Sequence, residues 1–306
     1  MSSPEASALS PNLSFRDRLL LGLLRTISRL SLGVLQTLGF WLGWVASLFP
    51  RGPAWVIRRN LQLCFPDRDE AWLRDTIRRN LISTGQTGFQ FAKTWGMPPQ
   101  YSLARMKRIV RQELLDEALA SGKGLLIIVP HYGTWEFMNA WINARAPSVI
   151  MYKPSKNKAM DTFVLEARSR LDAELVPTDE RGVKALLKTL KKGGVSIILP
   201  DHVPHDNGGI FAPFFGIRVW TGILTSRLIQ KTGCNVLMMS CVRIPGDDGF
   251  EVTFDPVDPD VHHDDLETAV SALNRSMETL IRRDPSQYQW TYKRFKKCES
   301  LHNVYQ

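Results

Sequence analysis

A histidine and a glutamate stand five positions apart in the segment HYGTWEF, residues 131–137. Five helical steps rotate one side chain about 140° from the other, so His131 and Glu136 would not meet on one regular helix. The two can touch only if the histidine lies outside the helix. A histidine held by a carboxylate is a general base, which removes a proton from a reacting group.

The residues around this pair predict a strand before the histidine and a helix after it. Residues 124–130 form an apolar run closed by proline, which is typical of a short buried strand. Gly133 permits a turn, Thr134 is a candidate N-cap, and TWEFMNAWINAR should continue as a helix. His131 would then follow a strand and Glu136 would lie in the first helical turn. Open α/β sheets place their ligands at such positions.

The sequence contains no G-x-S-x-G segment, so a serine hydrolase of that type would lack its nucleophile. Without a nucleophile from the enzyme, the base would deprotonate a hydroxyl of the substrate itself. That hydroxyl would then attack an activated acyl group directly.

Beyond residue 110, apolar strand patterns alternate with helical ones. The strand-like segments are LLIIVP, PSVIMY, VSIILP, CNVLMMSCVRI and FEVTFDP. Strands that alternate with helices of this length predict βαβ units. We therefore expect an α/β fold with a mainly parallel central sheet flanked by helices. The predicted organisation is a disordered N-terminus (1–14), a hydrophobic membrane-anchor region (15–52), an α/β domain (53–300) and a C-terminal tail (301–306).

Residues 30–49 carry no charge and would span about 30 Å as one helix, which matches a bilayer core. Arginines flank the segment on both sides, so charge gives no orientation. The run is too long and starts too late for a typical cleaved signal peptide. A transmembrane helix, a helix lying in the membrane interface and a core helix packed on the domain all remain open.

Composition favours an anionic partner, because the 306 residues carry a net charge of +9. No nucleic-acid recognition motif accompanies this charge, and an apolar membrane segment is unexpected in a nucleic-acid-binding protein. A membrane surface, a phosphorylated substrate or an acidic carrier protein fits better. The four cysteines show no zinc spacing, so we expect free thiols of a reducing compartment.

HYGTWEF resembles the H-x-x-x-x-D/E signature of the glycerolipid acyltransferase superfamily. More narrowly, the chain resembles the bacterial lipid A biosynthesis lauroyl/myristoyl acyltransferases over nearly all of residues 15–297. Further matching segments occur in order: RRNLQLCFP (58–66), MYKPSKNKAMD (151–161), RGVKALLKTLKKGG (181–194), LPDHVPHDNGGIFAPFFG (199–216) and QYQWTYKRFK (287–296).

The resemblance implies a general base at His131, oriented by Glu136. It implies substrate-binding roles for five further positions: Lys153, Asn157, Arg181, Asp201 and Gly209. At position 153 this chain has lysine where the family more usually has arginine. Residue types alone would also allow a metal at the cluster of Asp201, His202, His205 and Asp206, but the resemblance implies neither a metal nor another cofactor. The segment FAPFFG is expected to line an acyl pocket or to belong to the core.

The expected reaction is O-acyl transfer of a lauroyl or myristoyl chain. The donor would be acyl-acyl carrier protein, and the acceptor a hydroxyl of a lipid A precursor of the Kdo-lipid IV-A type. The enzyme would lie on the anionic surface of the bacterial inner membrane with its active site on the cytoplasmic side. The alternatives are another glycolipid or a lysophospholipid as acceptor, or a non-catalytic membrane-associated protein.

Overall fold

The computed structural model describes residues 13–247 and 249–306, so most of the predicted disordered N-terminus lies outside the described residues. The helices are α1 (Phe15–Arg29), α2 (Leu32–Ser47), α3 (Pro53–Cys64), α4 (Glu70–Gly96), α5 (Pro99–Leu103), α6 (Gln112–Ala120), α7 (Asn139–Arg145), α8 (Lys158–Arg168), α9 (Glu180–Lys191), α10 (Leu224–Thr232) and α11 (Leu266–Arg283). The strands are β1 (Met106–Val110), β2 (Leu125–Ile128), β3 (Ser148–Tyr152), β4 (Ala173–Pro177), β5 (Val195–Ile198), β6 (Gly209–Phe214), β7 (Ile217–Gly222), β8 (Asn235–Arg243) and β9 (Phe250–Pro256).

The central sheet has seven strands in the order β1-β9-β8-β2-β5-β3-β4. All neighbouring pairs are parallel except β8 and β9, which are antiparallel. The predicted α/β fold with a mainly parallel sheet is therefore confirmed. The sheet places the carboxyl ends of β2, β5 and β3 next to one another at one edge of the fold.

Helices cover both faces of this sheet. Leu126 and Ile128 of β2 pack into a cluster that includes residues of α9, α10 and α11, whereas Leu125 and Ile127 pack with residues of α6 and α7. This alternation follows from the strand geometry, in which successive side chains point to opposite faces. The step from β3 through α8 to β4 moves outward along the sheet, and the step through α9 to β5 moves back. Right-handed crossovers in opposite directions place α8 and α9 on opposite faces.

The apolar N-terminal segment is not the single helix predicted for residues 30–49. The chain breaks at Leu30, and α1 meets α2 at a bend of 113°. Ser31 caps α2 by accepting a hydrogen bond from the Val34 amide. The buried Lys93 amine donates to the Ser28 and Leu30 carbonyls at 2.9 and 2.7 Å, which fixes the bend against α4.

Neither α1 nor α2, nor any other helix of the described residues, is long and apolar enough to cross a bilayer by itself. Taken together, the bent pair α1 and α2 meets the criteria of length and composition.

Glycines allow α2 to lie directly on α4. A Cβ atom at Gly43 would stand 2.3 Å from the Leu81 carbonyl oxygen, and one at Gly39 would stand 2.5 Å from Cα of Gln86. Any side chain at these positions would force the helices apart. One side of α2 is therefore committed to contact with the domain.

Part of the FAPFFG segment and all four cysteines lie in the core. The segment FAPFFG belongs to a β6–β7 hairpin that the sequence did not predict, and Phe214 and Phe215 pack in the core rather than in a pocket. The hairpin contacts α11. All four cysteines are free and buried, as expected.

Candidate active site

Two neighbouring strands position the two central residues of the site. β2 and β5 run parallel and in register, with Ile128 opposite Ile198, and each strand is followed three positions later by a polar residue. These residues are His131 and Asp201. Nδ1 of His131 lies 2.8 Å from Oδ1 of Asp201, and the His131 backbone amide donates to Oδ2 at 3.0 Å.

The local backbone holds the histidine outside any helix. The amide of Gly133 donates to the Gln287 carbonyl and the amide of Gln289 donates to the His131 carbonyl, both at 2.9 Å. Gly133 has a φ of 63°, and a Cβ there would stand 2.1 Å from the Cys241 carbonyl oxygen. Glycine is thus required by both conformation and space.

The pair is electrostatically coupled. Burial opposes a charge on His131, but the charge and the hydrogen bond of Asp201, with a smaller contribution from Glu136, raise the pKa of the imidazole above its usual value. Burial likewise opposes the Asp201 carboxylate, yet the imidazole and the His131 amide hold its pKa well below its usual range. Because Asp201 stays ionised and accepts, Nδ1 carries the proton, and Nε2 keeps the lone pair of a base.

Glu136 does not take the position predicted for it. Its carboxylate accepts hydrogen bonds from Arg168 at 2.7 Å, from Trp95 Nε1 at 3.0 Å and from Asn139 Nδ2 at 3.1 Å. The expected bond between Glu136 and His131 is replaced by the bond between His131 and Asp201. Glu136 remains close enough to raise the pKa of His131 through its charge.

The helix expected from Thr134 also begins later. Residues 134–138 form turns, and α7 starts at Asn139. Thr134 is not an N-cap, because the residue before α7 is Met138 and the Thr134 hydroxyl donates to the Cys241 sulfur at 3.3 Å. The Thr134 amide also donates to the Cys241 carbonyl at 2.8 Å. These contacts with β8 hold Thr134 in place, and the chain forms turns up to residue 138 before α7 begins.

His202 lies in a stack of three rings with His131 and Tyr292. Its ring lies parallel to that of His131 at 4.0 Å and nearly parallel to that of Tyr292 at 3.9 Å. Nε2 of His202 lies 3.1 Å from Oε1 of Gln289 and donates to it. Burial, followed by the neighbouring His131 charge, lowers the pKa of His202, so this ring loses its proton at a lower pH than His131 does. Among the described residues, no three His, Cys, Asp or Glu side chains are grouped to hold a metal ion.

A cavity of about 810 Å³ opens beside the His131 ring. One part of its wall is polar and charged, with Lys153, Arg168 and Arg227. Another part is apolar, with side chains from the carboxyl ends of β3 and β5 such as Ile150, Ile197 and Leu199. This combination suits an amphiphile with a long apolar chain and a polar head group.

The residues predicted to bind substrate differ in their position relative to the cavity. Lys153 lines the cavity. Asn157 caps α8 by accepting from the Met160 amide, and the exposed Arg181 pairs with Asp179 at 2.8 Å. Gly209 begins β6, where a Cβ would meet the Thr221 carbonyl oxygen at 2.7 Å. Asp201 is buried beneath the histidine, so it contacts the His131 ring rather than the cavity.

A signal for Asp201 was present in the sequence. The segments LLIIVPH and SIILPDH both read as a buried strand, a proline and then a polar residue. Parallel strands end at the same edge of a sheet, so two such segments place their polar residues together when the strands are neighbours. The sequence does not show that β2 and β5 are neighbours, and this is what the structure adds. Arg168 and Trp95, which bind Glu136, showed no comparable signal.

Comparison with known proteins bears on this site. The family model "Bacterial lipid A biosynthesis acyltransferase" matches residues 8–297. The chain is 28% identical over 277 residues to a lipid A biosynthesis lauroyltransferase of Escherichia coli K12, with 90% of each chain covered. It is 26% identical over 280 residues to a lipid A biosynthesis palmitoleoyltransferase of the same organism, covering 90% of this chain and 89% of that one. A lipid A biosynthesis acyltransferase of Haemophilus influenzae is 27% identical over 278 residues, covering 89% and 87%.

The matched region includes the β2 and β5 strands and both residues that follow them. The histidine, the carboxylate beneath it and the cavity beside it therefore belong to a fold that transfers acyl groups in lipid A biosynthesis. This chain is an acyltransferase, and it belongs to the family of bacterial lipid A biosynthesis acyltransferases.

Proposed function

We propose that His131 is the general base of an O-acyl transfer and that Asp201 orients it. The observation that carries the proposal is the hydrogen bond from Nδ1 of His131 to the buried Asp201 carboxylate, in a ring that also lines the cavity. This bond leaves Nε2 as the acceptor of a proton. The arrangement is that of a base held in one tautomer by a carboxylate.

In the proposed reaction, Nε2 removes the proton of the acceptor hydroxyl as its oxygen attacks the carbonyl carbon of an acyl thioester. A new C–O bond forms, and the carbonyl oxygen takes the negative charge of a tetrahedral intermediate. The intermediate collapses when the C–S bond breaks, and the imidazolium returns its proton to the departing thiolate. The side chain of Lys153 places a positive charge on the cavity wall, where an oxyanion or a phosphate group would benefit from it.

We further propose a lauroyl or myristoyl chain as the transferred group, acyl-acyl carrier protein as its donor and a precursor of the Kdo-lipid IV-A type as acceptor. The apolar wall formed by β3 and β5 suits the chain, and the cations of the cavity suit an acceptor with anionic groups. Relatives with lauroyltransferase and palmitoleoyltransferase activities support a fatty chain of this kind.

We also propose a position on the cytoplasmic surface of the inner membrane, and the exposed apolar side chains of α1 and α2 support contact with a membrane. All exposed large apolar side chains among the described residues lie between Phe15 and Phe49. An apolar patch of this kind marks a surface that meets lipid or another protein. We propose that α1 and α2 lie in the interface without crossing the bilayer, because one side of α2 is bound to α4 and a helix of 16 residues spans only about 24 Å.

Lipid A from a strain that lacks this gene tests the reaction. Wild-type protein should restore one secondary acyl chain, as measured by mass spectrometry, whereas His131→Ala should reduce transfer by about 10²–10⁴. His262→Ala is the matched control, because His262 is exposed and lies outside the cavity. An unchanged lipid A profile in the deletion strain would favour another glycolipid or a lysophospholipid as acceptor. Normal product with His131→Ala at equal expression would refute the assigned base.

A further inference from the structure

Helices α9 and α10 present a set of surface cations that form no ion pair with acidic side chains of the described residues. The side chains at positions 184, 188 and 191 follow one another at helical spacing on the exposed side of α9, and α10 packs beside it with two more cations. We define the α9–α10 basic face as Lys184, Lys188, Lys191, Lys192, Arg227 and Lys231.

This face differs from the other basic regions of the surface. Arg58, Arg108 and Arg218 each pair with a glutamate, as do many other arginines. Within the part of the chain that the structure describes, none of the lysines of the basic face forms an ion pair, and Arg227 donates only to the neutral Gln230. The acidic side chains nearest in sequence are Asp179, which is held by Arg181, and Glu180. The positive charge of the face is therefore available to a partner.

The basic face begins at the entrance of the cavity. Asp179 and Val183 at the amino end of α9 line the cavity, as do Leu224 and Arg227 at the amino end of α10. Lys184 follows Val183 directly, and Lys188 lies one turn further along the same side. A partner that rests on this face would deliver a flexible arm into the cavity that contains His131.

The basic face does not belong to the side of the domain on which α1 packs. α1 contacts α4 and α8, and α8 lies on the opposite face of the sheet from α9. A lipid acceptor that arrives along the apolar side chains of α1 would thus leave the basic face open to a soluble partner.

We infer that the α9–α10 basic face docks the acyl carrier protein that presents the thioester. The inference rests on the proposed function and adds the place where the donor binds. A carrier protein with an acidic surface complements the uncompensated cations, and its pantetheine arm would enter the cavity at the amino ends of α9 and α10. Charge complementarity of this kind raises the rate of encounter and fixes the orientation of the partners.

Two donors with the same acyl chain separate docking from chemistry. Transfer is measured with lauroyl-acyl carrier protein and with lauroyl-pantetheine, which carries the same thioester and no protein. Lys188→Glu should lower the ratio of kcat/KM for the carrier donor to kcat/KM for lauroyl-pantetheine by about tenfold, mainly through a higher KM for the carrier. Adding Lys184→Glu should lower the ratio further. Rising salt should reduce the ratio of the wild-type protein toward that of the variant.

Arg145→Glu is the matched control. Arg145 is exposed at the end of α7, which packs on the opposite face of the sheet from α9 and α10. This substitution makes the same change of charge and should alter the ratio by less than about twofold.

The outcomes are distinct. An equal loss with both donors, or an unchanged ratio in Lys184→Glu and Lys188→Glu, would overturn the docking inference. An unchanged ratio with weaker binding to phosphatidylglycerol vesicles would show that the face meets a membrane instead. A wild-type protein that uses lauroyl-pantetheine but not the carrier-bound chain would overturn docking and leave the proposed reaction standing. If it uses neither donor, the proposed reaction fails as well.

Discussion

Asp201 controls both the tautomer and the basicity of His131. The carboxylate raises the pKa of the imidazole above its reference value of about 6.5, so the fraction of neutral base grows as the pH rises through this higher value. We expect the acidic limb of the kcat/KM profile above pH 6.5 in the wild-type protein, at about the raised pKa. In Asp201→Asn the limb should move to lower pH, while the maximal rate falls by about 10²–10⁴ because the tautomer is no longer fixed.

Glu136→Gln provides the comparison for this profile. Glu136 contributes a smaller part of the pKa shift of His131 and is itself held by Arg168 and Trp95. We expect its substitution to move the acidic limb less than Asp201→Asn does. The opposite order of the two shifts would return the orienting role to Glu136, as the resemblance to the acyltransferases implies.

The stack of His202 between His131 and Tyr292 restricts rotation of the His131 ring. His202→Phe keeps an aromatic face against His131 and loses only the hydrogen bond to Gln289, whereas His202→Ala removes the contact. We expect kcat to fall about tenfold in the alanine variant and less in the phenylalanine variant, since misplacement of a catalytic group lowers the rate. Equal losses in the two variants would show that ring stacking does not position the base.

At the scale of elements, the sequence predicted what depends on local patterns. The alternation of strands and helices identified the α/β fold, and the apolar run before His131 identified β2 and its end. Asp201 is 70 positions further along the chain, so its contact with His131 depends on which strands are neighbours. That order results from packing of the whole sheet and is not written in any short segment.

Two local predictions were wrong for related reasons. Thr134 has the residue type of an N-cap, but hydrogen bonds to Cys241 in β8 hold its backbone in a turn. The uncharged run at residues 30–49 reads as one helix, but Lys93 binds the carbonyls at the break and α4 fixes the bend. In both cases a residue distant in sequence outweighs local helix preference, which contributes less than about 1 kcal/mol per residue.

The contact between α2 and α4 leads to a prediction about stability. A methyl group at Gly43 would collide with the α4 backbone at Leu81, so Gly43→Ala should destabilise the protein by about 1–3 kcal/mol. Gly33→Ala is the control on the same helix, because nothing lies within 4 Å of the added carbon. It should be neutral or stabilising by up to about 1 kcal/mol. Urea unfolding measures both values, and a similar change in the two variants would contradict close packing of α2 on α4.

For the whole molecule, the distribution of surface character matches the two phases that the proposed substrates would occupy. Among the described residues, the exposed large apolar side chains lie on α1, α2 and the residues beside them, whereas Arg227 of the α9–α10 basic face lines the cavity. We propose that a lipid acceptor and a soluble donor approach His131 over these two different surfaces. The proposal requires that the apolar residues, rather than the cations, hold the protein on the membrane.

Trp41 on α2 is suited to test this requirement because the residue is 54% exposed and lies on the side of the helix away from α4. A charged side chain placed in an apolar environment costs several kcal/mol, so Trp41→Glu should weaken partitioning into liposomes of inner-membrane lipids by at least about tenfold. Thr279→Glu, exposed on α11, makes the same change of charge and should leave partitioning unaltered. High salt should leave the wild-type protein on the liposomes, because apolar insertion is not screened by ions. Release of the wild-type protein by salt alone would mean that cations hold the enzyme at the surface and that the apolar side chains of α1 and α2 contact something other than lipid.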